Sequence, residues 1–265
     1  MELRDKVVIV TGGGNGIGAG LCKRFVAEGA AEVIVADLDG DAAASVADQV
    51  HATPARLDVT DEAATRELVA DVERRHGRID LFCANAGIAA AQGLDMSNEL
   101  WQKTWEVNVL SHVFAARAVL PGMLERGDGY FLATVSAAGL LTNIGAAAYA
   151  VTKHAALAHA EWLSVTYGDQ GLKVSALCPQ FVETRMIDDF STLEMDDSFI
   201  RSVAVTTDDV AATVIEGLAA ERFLILPHPE VQDYFRNKAN DHDRWIGGMR
   251  KLQRTWMPNG MPPPM

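Results

Sequence analysis

Seven short apolar runs, separated by longer amphipathic stretches, restrict the fold of this 265-residue chain more than any other feature. The runs are VVIV (7–10), EVIVA (32–36), ARLDV (55–59), IDLFCAN (79–85), GYFLATVS (129–136), LKVSALCP (172–179) and RFLILP (222–227). They carry Val, Ile and Leu on consecutive positions, as strands buried on both faces of a parallel sheet do. The stretches between them have helical spacing. Ile17, Leu21 and Phe25 recur every four residues and Gly29 follows as a stop. TDEAATRELVADVERRHG opens on Thr60 as N-cap and closes on Arg and His before Gly77. Strand and helix in alternation predict an α/β fold: one Rossmann-like, doubly wound parallel sheet of about seven strands, with helices on both faces and right-handed crossovers.

Composition narrows the partners. A hydrophobic share of 49% supplies a core, and a net charge of -13 disfavours nucleic acid and anionic membranes, both of which repel an acidic protein. Cys22, Cys83 and Cys178 have no CxxC spacing and read as small buried hydrophobes. No HExxH occurs, and His154 and His159 fall on different helix faces, so no metal site is expected. The opening segment reads as a strand rather than a signal peptide, and no run reaches the roughly 18 apolar residues of a membrane span. These features predict a cytoplasmic protein.

The loop TGGGNGIG (11–18) joins the first strand to the first helix. Glycines there let a phosphate approach the backbone, and the helix N-terminus offers amides and partial positive charge. Asp37 ends the second strand about 20 residues on, where a carboxylate accepts hydrogen bonds from a ribose 2′-hydroxyl and repels a 2′-phosphate. Neither Asn15 in the loop nor Leu38 after Asp37 is basic, so NAD is expected over NADP. The spacing fits G-x-G-x-x-G poorly, through Gly14, Gly16 and Ala19, but fits T-G-x-x-x-G-x-G in full with Thr11, Gly12, Gly16 and Gly18.

Here, and over about residues 6–226, the sequence resembles the short-chain dehydrogenase/reductase family. The resemblance implies that Gly12, Asn15, Gly16, Ile17 and Gly18 hold the pyrophosphate, with Asp37 and Leu38 at the ribose. LDV places Asp58 and Val59 at the adenine. NAG places Asn85, Ala86 and Gly87 beside the cofactor, Ala84 replacing the family's first Asn. CPQFVET places Pro179, Val182 and Thr184 by the nicotinamide, Gln180 replacing a Gly. Asn108 in WEVNVLSHVF matches the Asn of the following helix.

Tyr149 and Lys153 lie four residues apart and share a helix face. A phenol titrates near 10, so accepting a proton near neutrality requires a drop of roughly 3 units, about 4 kcal/mol. A fixed ammonium and a cationic nicotinamide are expected to supply it. Ser136 ends its strand 13 positions earlier, where α/β folds bind ligands. The resemblance assigns Tyr149 as acid/base, Lys153 as its electrostatic tuner and ribose contact, Ser136 as donor to the substrate oxygen, and Asn108 as holder of a relay water.

The expected reaction is hydride transfer between the nicotinamide of NAD and a carbinol carbon. Residues 1–228 form the dinucleotide-binding and catalytic domain, with 183–203 as a substrate lid. Residues 229–265 form a C-terminal helical extension and a Pro-rich tail. The expected pocket comprises Ser136, Tyr149, Gln180, Met186 and Phe190. Acidic residues in the lid disfavour an anion, so the small-molecule partner is read as a neutral, mainly apolar secondary alcohol or ketone. The Ala-rich helix around Tyr149 and family habit imply a homodimer or homotetramer. The rivals are a non-catalytic NAD-sensing protein on the same fold, an NADP-using carbonyl reductase, and an epimerase or dehydratase with the same loop.

Overall fold

A computed structural model describes residues 1–186, 202–258 and 260. Seven parallel strands form one sheet in the order β3-β2-β1-β4-β5-β6-β7. They are β1 (Val7–Thr11), β2 (Glu32–Asp37), β3 (Thr53–Arg56), β4 (Leu81–Ala84), β5 (Gly129–Thr134), β6 (Leu172–Leu177) and β7 (Leu224–Ile225). The helices are α1 (Gly16–Ala27), α2 (Gly40–Val50), α3 (Glu62–His76), α4 (Asn98–Trp105), α5 (Ser111–Arg126), α6 (Ala147–Tyr167), α7 (Thr207–Ala219), α8 (Glu230–Asn240) and α9 (His242–Trp256).

Alternation along each strand divides the core. Ile9, Ile34, Phe82, Phe131 and Val174 point to one face, under Val69 of α3, Val119 of α5 and Leu163 of α6. Val8, Val10, Val33, Leu81 and Leu132 point to the other, under Phe25 of α1, Val46 of α2 and Val214 of α7. The three cysteines are buried, and burial raises the Cys22 and Cys178 thiols to about 12. The strand order reverses between β1 and β4, opening the crevice where such sheets bind ligands.

Several boundaries differ from expectation. β3 covers 53–56 rather than 55–59, so Asp58 and Val59 lie beyond its end. Asp61, not Thr60, caps α3, accepting from the Ala64 amide at 3.0 Å, while Thr60 serves Asp58. The C-terminal extension is two helices, broken at Asp241, whose side chain caps α9 by accepting from the Arg244 amide at 2.9 Å. The stretch 98–126 is helical throughout, 29 residues apolar enough to cross a membrane by length and composition, yet 56% of its most apolar window is buried inside the fold. Of the expected lid, 187–201 lie outside the described residues, as does most of the Pro-rich tail.

Candidate active site

The cavity at the carboxyl ends of the central strands measures about 630 Å3. Its edge is the 11–18 loop. Gly12 has φ +65°, and a Cβ there would lie 2.9 Å from Ala86 Cα; a Cβ on Gly18 would lie 2.0 Å from the Gly12 carbonyl oxygen. The loop therefore closes on itself and on the Asn85–Gly87 segment only with bare backbone.

A side-chain lattice fixes those strand ends. Thr11 Oγ1 donates to the Cys83 carbonyl at 3.2 Å and accepts from the Asn85 and Ala86 amides at 3.0 and 3.2 Å. Asn85 Nδ2 donates to the Thr11 carbonyl at 2.9 Å, and its Oδ1 accepts from Thr134 Oγ1 at 3.0 Å. In the sequence Thr134 stands only as a second hydroxyl, two residues further from the strand end than Ser136. Its signal was available, a hydroxyl closing an otherwise apolar buried strand. Asp37 Oδ2 accepts from the Gly14 amide at 2.9 Å and Oδ1 from the Asp39 amide at 3.0 Å, so the carboxylate is fixed at the cavity's far end.

Ser136, Tyr149 and Lys153 converge on the cavity wall and are 7%, 8% and 3% exposed. Ser136 begins a tight turn with φ 137° and ψ 155°, a backbone conformation that costs a non-glycine residue roughly 1–3 kcal/mol. Its hydroxyl accepts from the Ala138 amide at 3.1 Å and hydrogen-bonds the Tyr149 side chain. The Lys153 ammonium sits 5.5 Å from the Tyr149 ring centroid and donates to the Thr134 carbonyl at 3.1 Å. Burial lowers Lys153 to about 8.

Burial raises the Tyr149 phenol above its ordinary value, and the Ser136 hydrogen bond only opposes that rise. The Lys153 ammonium is held by the Thr134 carbonyl, and desolvation lowers its own pKa.

Of the remaining expected residues, Gly12, Asn15, Gly16, Ile17, Asp37, Leu38, Asp58, Val59, Asn85, Ala86, Gly87, Pro179, Thr184 and Met186 line the cavity. Gly18 does not; it is a packing glycine against Gly12. Val182 does not either, being core, 6% exposed and bridged to Val205. Asn108 is fully buried in a π-helical turn (Glu106–Leu110), not a regular helix. Its Oδ1 accepts from the Ile88 amide and its Nδ2 donates to the Ile88 carbonyl, both at 2.9 Å, and to Thr152 Oγ1 at 3.1 Å. It braces the wall from behind. Gln180 lines a neighbouring chamber that also reaches Ser136, and Phe190 lies outside the described residues. Lys23, Lys103 and Val107 line the cavity without a motif to point to them, and Arg185, the one basic residue of the 183–203 stretch near its start, also lines it and hydrogen-bonds Asn15.

The bare loop backbone, the fixed carboxylate and the size of the cavity fit a nicotinamide dinucleotide. Fold and site together define an oxidoreductase of the Rossmann type. The family model described as short chain dehydrogenase matches residues 6–194, and the chain belongs to that family. The 1-deoxy-11-beta-hydroxypentalenate dehydrogenase of Streptomyces exfoliatus is 32% identical over 273 residues, 100% of this chain and 93% of that protein. The meso-2,3-butanediol dehydrogenase of Serratia marcescens is 32% identical over 209 residues, 77% of this chain and 82% of that protein. The solved structure of a short chain dehydrogenase/reductase from Burkholderia phymatum in complex with NAD superposes with a TM-score of 0.83 at 26% identity, covering 92% of this chain and 96% of that one.

Proposed function

We propose that this protein is an NAD(H)-dependent oxidoreductase interconverting a neutral, mainly apolar secondary alcohol and its ketone. The observation that carries this reading is the hydrogen-bonded pair Ser136 and Tyr149 on the cavity wall, with the Lys153 ammonium beside the ring. The names of the two relatives, each a dehydrogenase of a hydroxylated compound, support a CH–OH donor.

Residues 1–228 form the catalytic unit. The 12–17 backbone and Asn15 hold the pyrophosphate, Asp37 the ribose, Asp58 and Val59 the adenine, and Asn85–Gly87, Pro179 and Thr184 the nicotinamide end. The Asp37 carboxylate accepts ribose hydroxyls and repels a 2′-phosphate, which favours NAD. When bound, the oxidised dinucleotide supplies the hydride acceptor and a positive charge in the cavity. Ser136 Oγ hydrogen-bonds the substrate oxygen and sets the carbinol beside the phenol. Tyr149 takes the hydroxyl proton in oxidation and returns it to the forming alkoxide in reduction. Lys153 keeps N–H groups free beyond its bond to Thr134, for a ribose hydroxyl. Asn108 positions the Ile88 backbone and holds the relay water. Val151, Trp162 and Val165 are 49%, 55% and 86% exposed along α6, which supports a homodimer or homotetramer through that helix. We place the protein in the cytoplasm.

The test is spectrophotometric NADH formation with a panel of secondary alcohols, for wild type and Tyr149→Phe. Turnover with NAD, preferred over NADP about tenfold or more and lost in the variant, is the expected result. A wild type that binds NAD yet turns over no alcohol would leave only a sensor.

A further inference from the structure

A second chamber of about 690 Å3 adjoins the dinucleotide cavity, and Ser136 lines both. Its outer wall is the C-terminal helix pair. Trp245, Met249, Leu252 and Trp256 of α9 are spaced by four, three and four residues, so they share one face, and all four line the chamber. α9 has no buried residue. Met249, Leu252 and Trp256 pack with Ile144 at the chamber wall rather than under the sheet. Trp245 also packs against the main core, so the stripe runs from the core edge out along the chamber.

The wall is anchored to the catalytic segments. Lys238 of α8 donates to the Leu140 carbonyl at 2.8 Å and contacts His154 Nε2 at 3.3 Å, while His154 Nδ1 meets the Ala150 carbonyl at 2.8 Å. A carbonyl only accepts, so Nδ1 carries the proton and Nε2 receives the lysine N–H. Leu140 follows Ser136 by four residues and His154 adjoins Lys153, so one lysine ties the helix pair to both.

Size decides what fits. At roughly 30 Å3 per liquid water, the chamber has space for about 23 waters. That volume lies in the range of sites for drug-sized ligands. A four-carbon alcohol would leave most of the apolar wall wet. We infer that the chamber selects a bulky, mainly hydrocarbon secondary alcohol or ketone, polycyclic or long-chain, of about 15–20 non-hydrogen atoms, with its carbinol at Ser136 and its body against α9. This rests on the oxidoreductase reading above.

The test compares kcat/KM for 2-butanol, 2-octanol, decahydro-2-naphthol and a steroid secondary alcohol, with NAD. Each additional buried methylene is expected to raise kcat/KM about fourfold, chiefly through KM. Gly248 lines the chamber and a Cβ on it meets nothing within 4 Å, so the side chain of Gly248→Phe starts into open space at the chamber wall. In that variant the ratio of steroid to 2-butanol turnover is expected to fall at least tenfold or so. Titration of the enzyme with a steroid ketone, without cofactor, is expected to change the fluorescence of Trp245 and Trp256, with no response to 2-butanone. Equal kcat/KM across the series, or a size preference untouched by Gly248→Phe, overturns the inference while the oxidoreductase reading stands. No turnover of any alcohol, with the fluorescence response intact, sinks the oxidoreductase reading and leaves a chamber that binds bulky ligands.

Discussion

The Lys153 ammonium lies 5.5 Å from the centre of the Tyr149 ring but spends a hydrogen bond on the Thr134 carbonyl, at 3.1 Å. Its field therefore reaches the phenol at close range while the strand end holds one of its N–H groups. Lys153→Met removes that field while leaving the Ser136–Tyr149 contact in place. The expected result is a fall in kcat for alcohol oxidation of about 10²–10⁴-fold, the usual loss of an acid–base contribution. Steady-state kinetics beside NAD-binding titrations check it. A loss of turnover far larger than the weakening of dinucleotide binding from the lost ribose contact is expected, and unchanged kcat would remove Lys153 from the mechanism.

The same lysine makes stability depend on pH. Its pKa is lowered from 10.5 to about 8 by burial, so between about 8 and 10.5 the unfolded chain holds a proton that the folded chain has released. The state that binds more protons is favoured at low pH, so stability rises with pH through this window and is weakest below it. The shift corresponds to about 3 kcal/mol. Tyr149, raised by burial, works the other way, but only above its unfolded value near 10. The three thiols raised by burial lower the stability of both proteins above about 9, so the readout is the difference: in urea unfolding between pH 7 and about 10 the variant should be the more stable near neutrality and the wild type should gain on it as pH rises. Parallel curves for the two proteins would contradict the burial cost.

The central strands were legible because strands covered on both faces carry mostly apolar side chains on consecutive positions. β3 was misplaced because it is an edge strand. Thr53, Pro54, Ala55 and Arg56 alternate between half-buried and exposed, and the more apolar LDV lies past its end. The π turn around Asn108 left no trace because one extra residue in a helical turn hardly disturbs a hydrophobic period. The chamber under α9 was equally hidden. The stripe Trp245–Met249–Leu252–Trp256 has helical spacing in the sequence, but only the chain's path says that it lines a ligand space. Tyr149 and Ser136 were found by motif.

Asp37 carries the choice of dinucleotide. Its carboxylate is oriented by the Gly14 and Asp39 amides, and Arg56 lies opposite it in the β2–β3 register. Asp37→Ala removes an acceptor for ribose hydroxyls and the charge that repels a 2′-phosphate, leaving Arg56 nearby. A hydrogen bond to a charged group contributes about 1.5–3 kcal/mol, so kcat/KM with NAD should fall roughly 10–100-fold while that with NADP rises. An unchanged ratio of the two would mean that Asp37 does not contact the ribose.

Gly18 offers the cleanest separation of packing from ligand contact. It was expected to touch the cofactor, yet it does not line the cavity, and a Cβ built on it would lie 2.0 Å from the Gly12 carbonyl oxygen and 2.6 Å from Asn85 Nδ2. Both neighbours belong to the lattice that holds the strand ends, so neither can yield alone. Gly18→Ala should therefore cost about 1–3 kcal/mol, the usual penalty for overpacking, and weaken dinucleotide binding by moving the loop. Gly247 is the control. It lies in α9 with nothing within 4 Å of its Cβ, so Gly247→Ala should be neutral or stabilising by up to about 1 kcal/mol through helix propensity. Urea midpoints and NAD titrations on the two variants decide the matter. If Gly18→Ala keeps wild-type stability and affinity, the loop is not closed on itself as described.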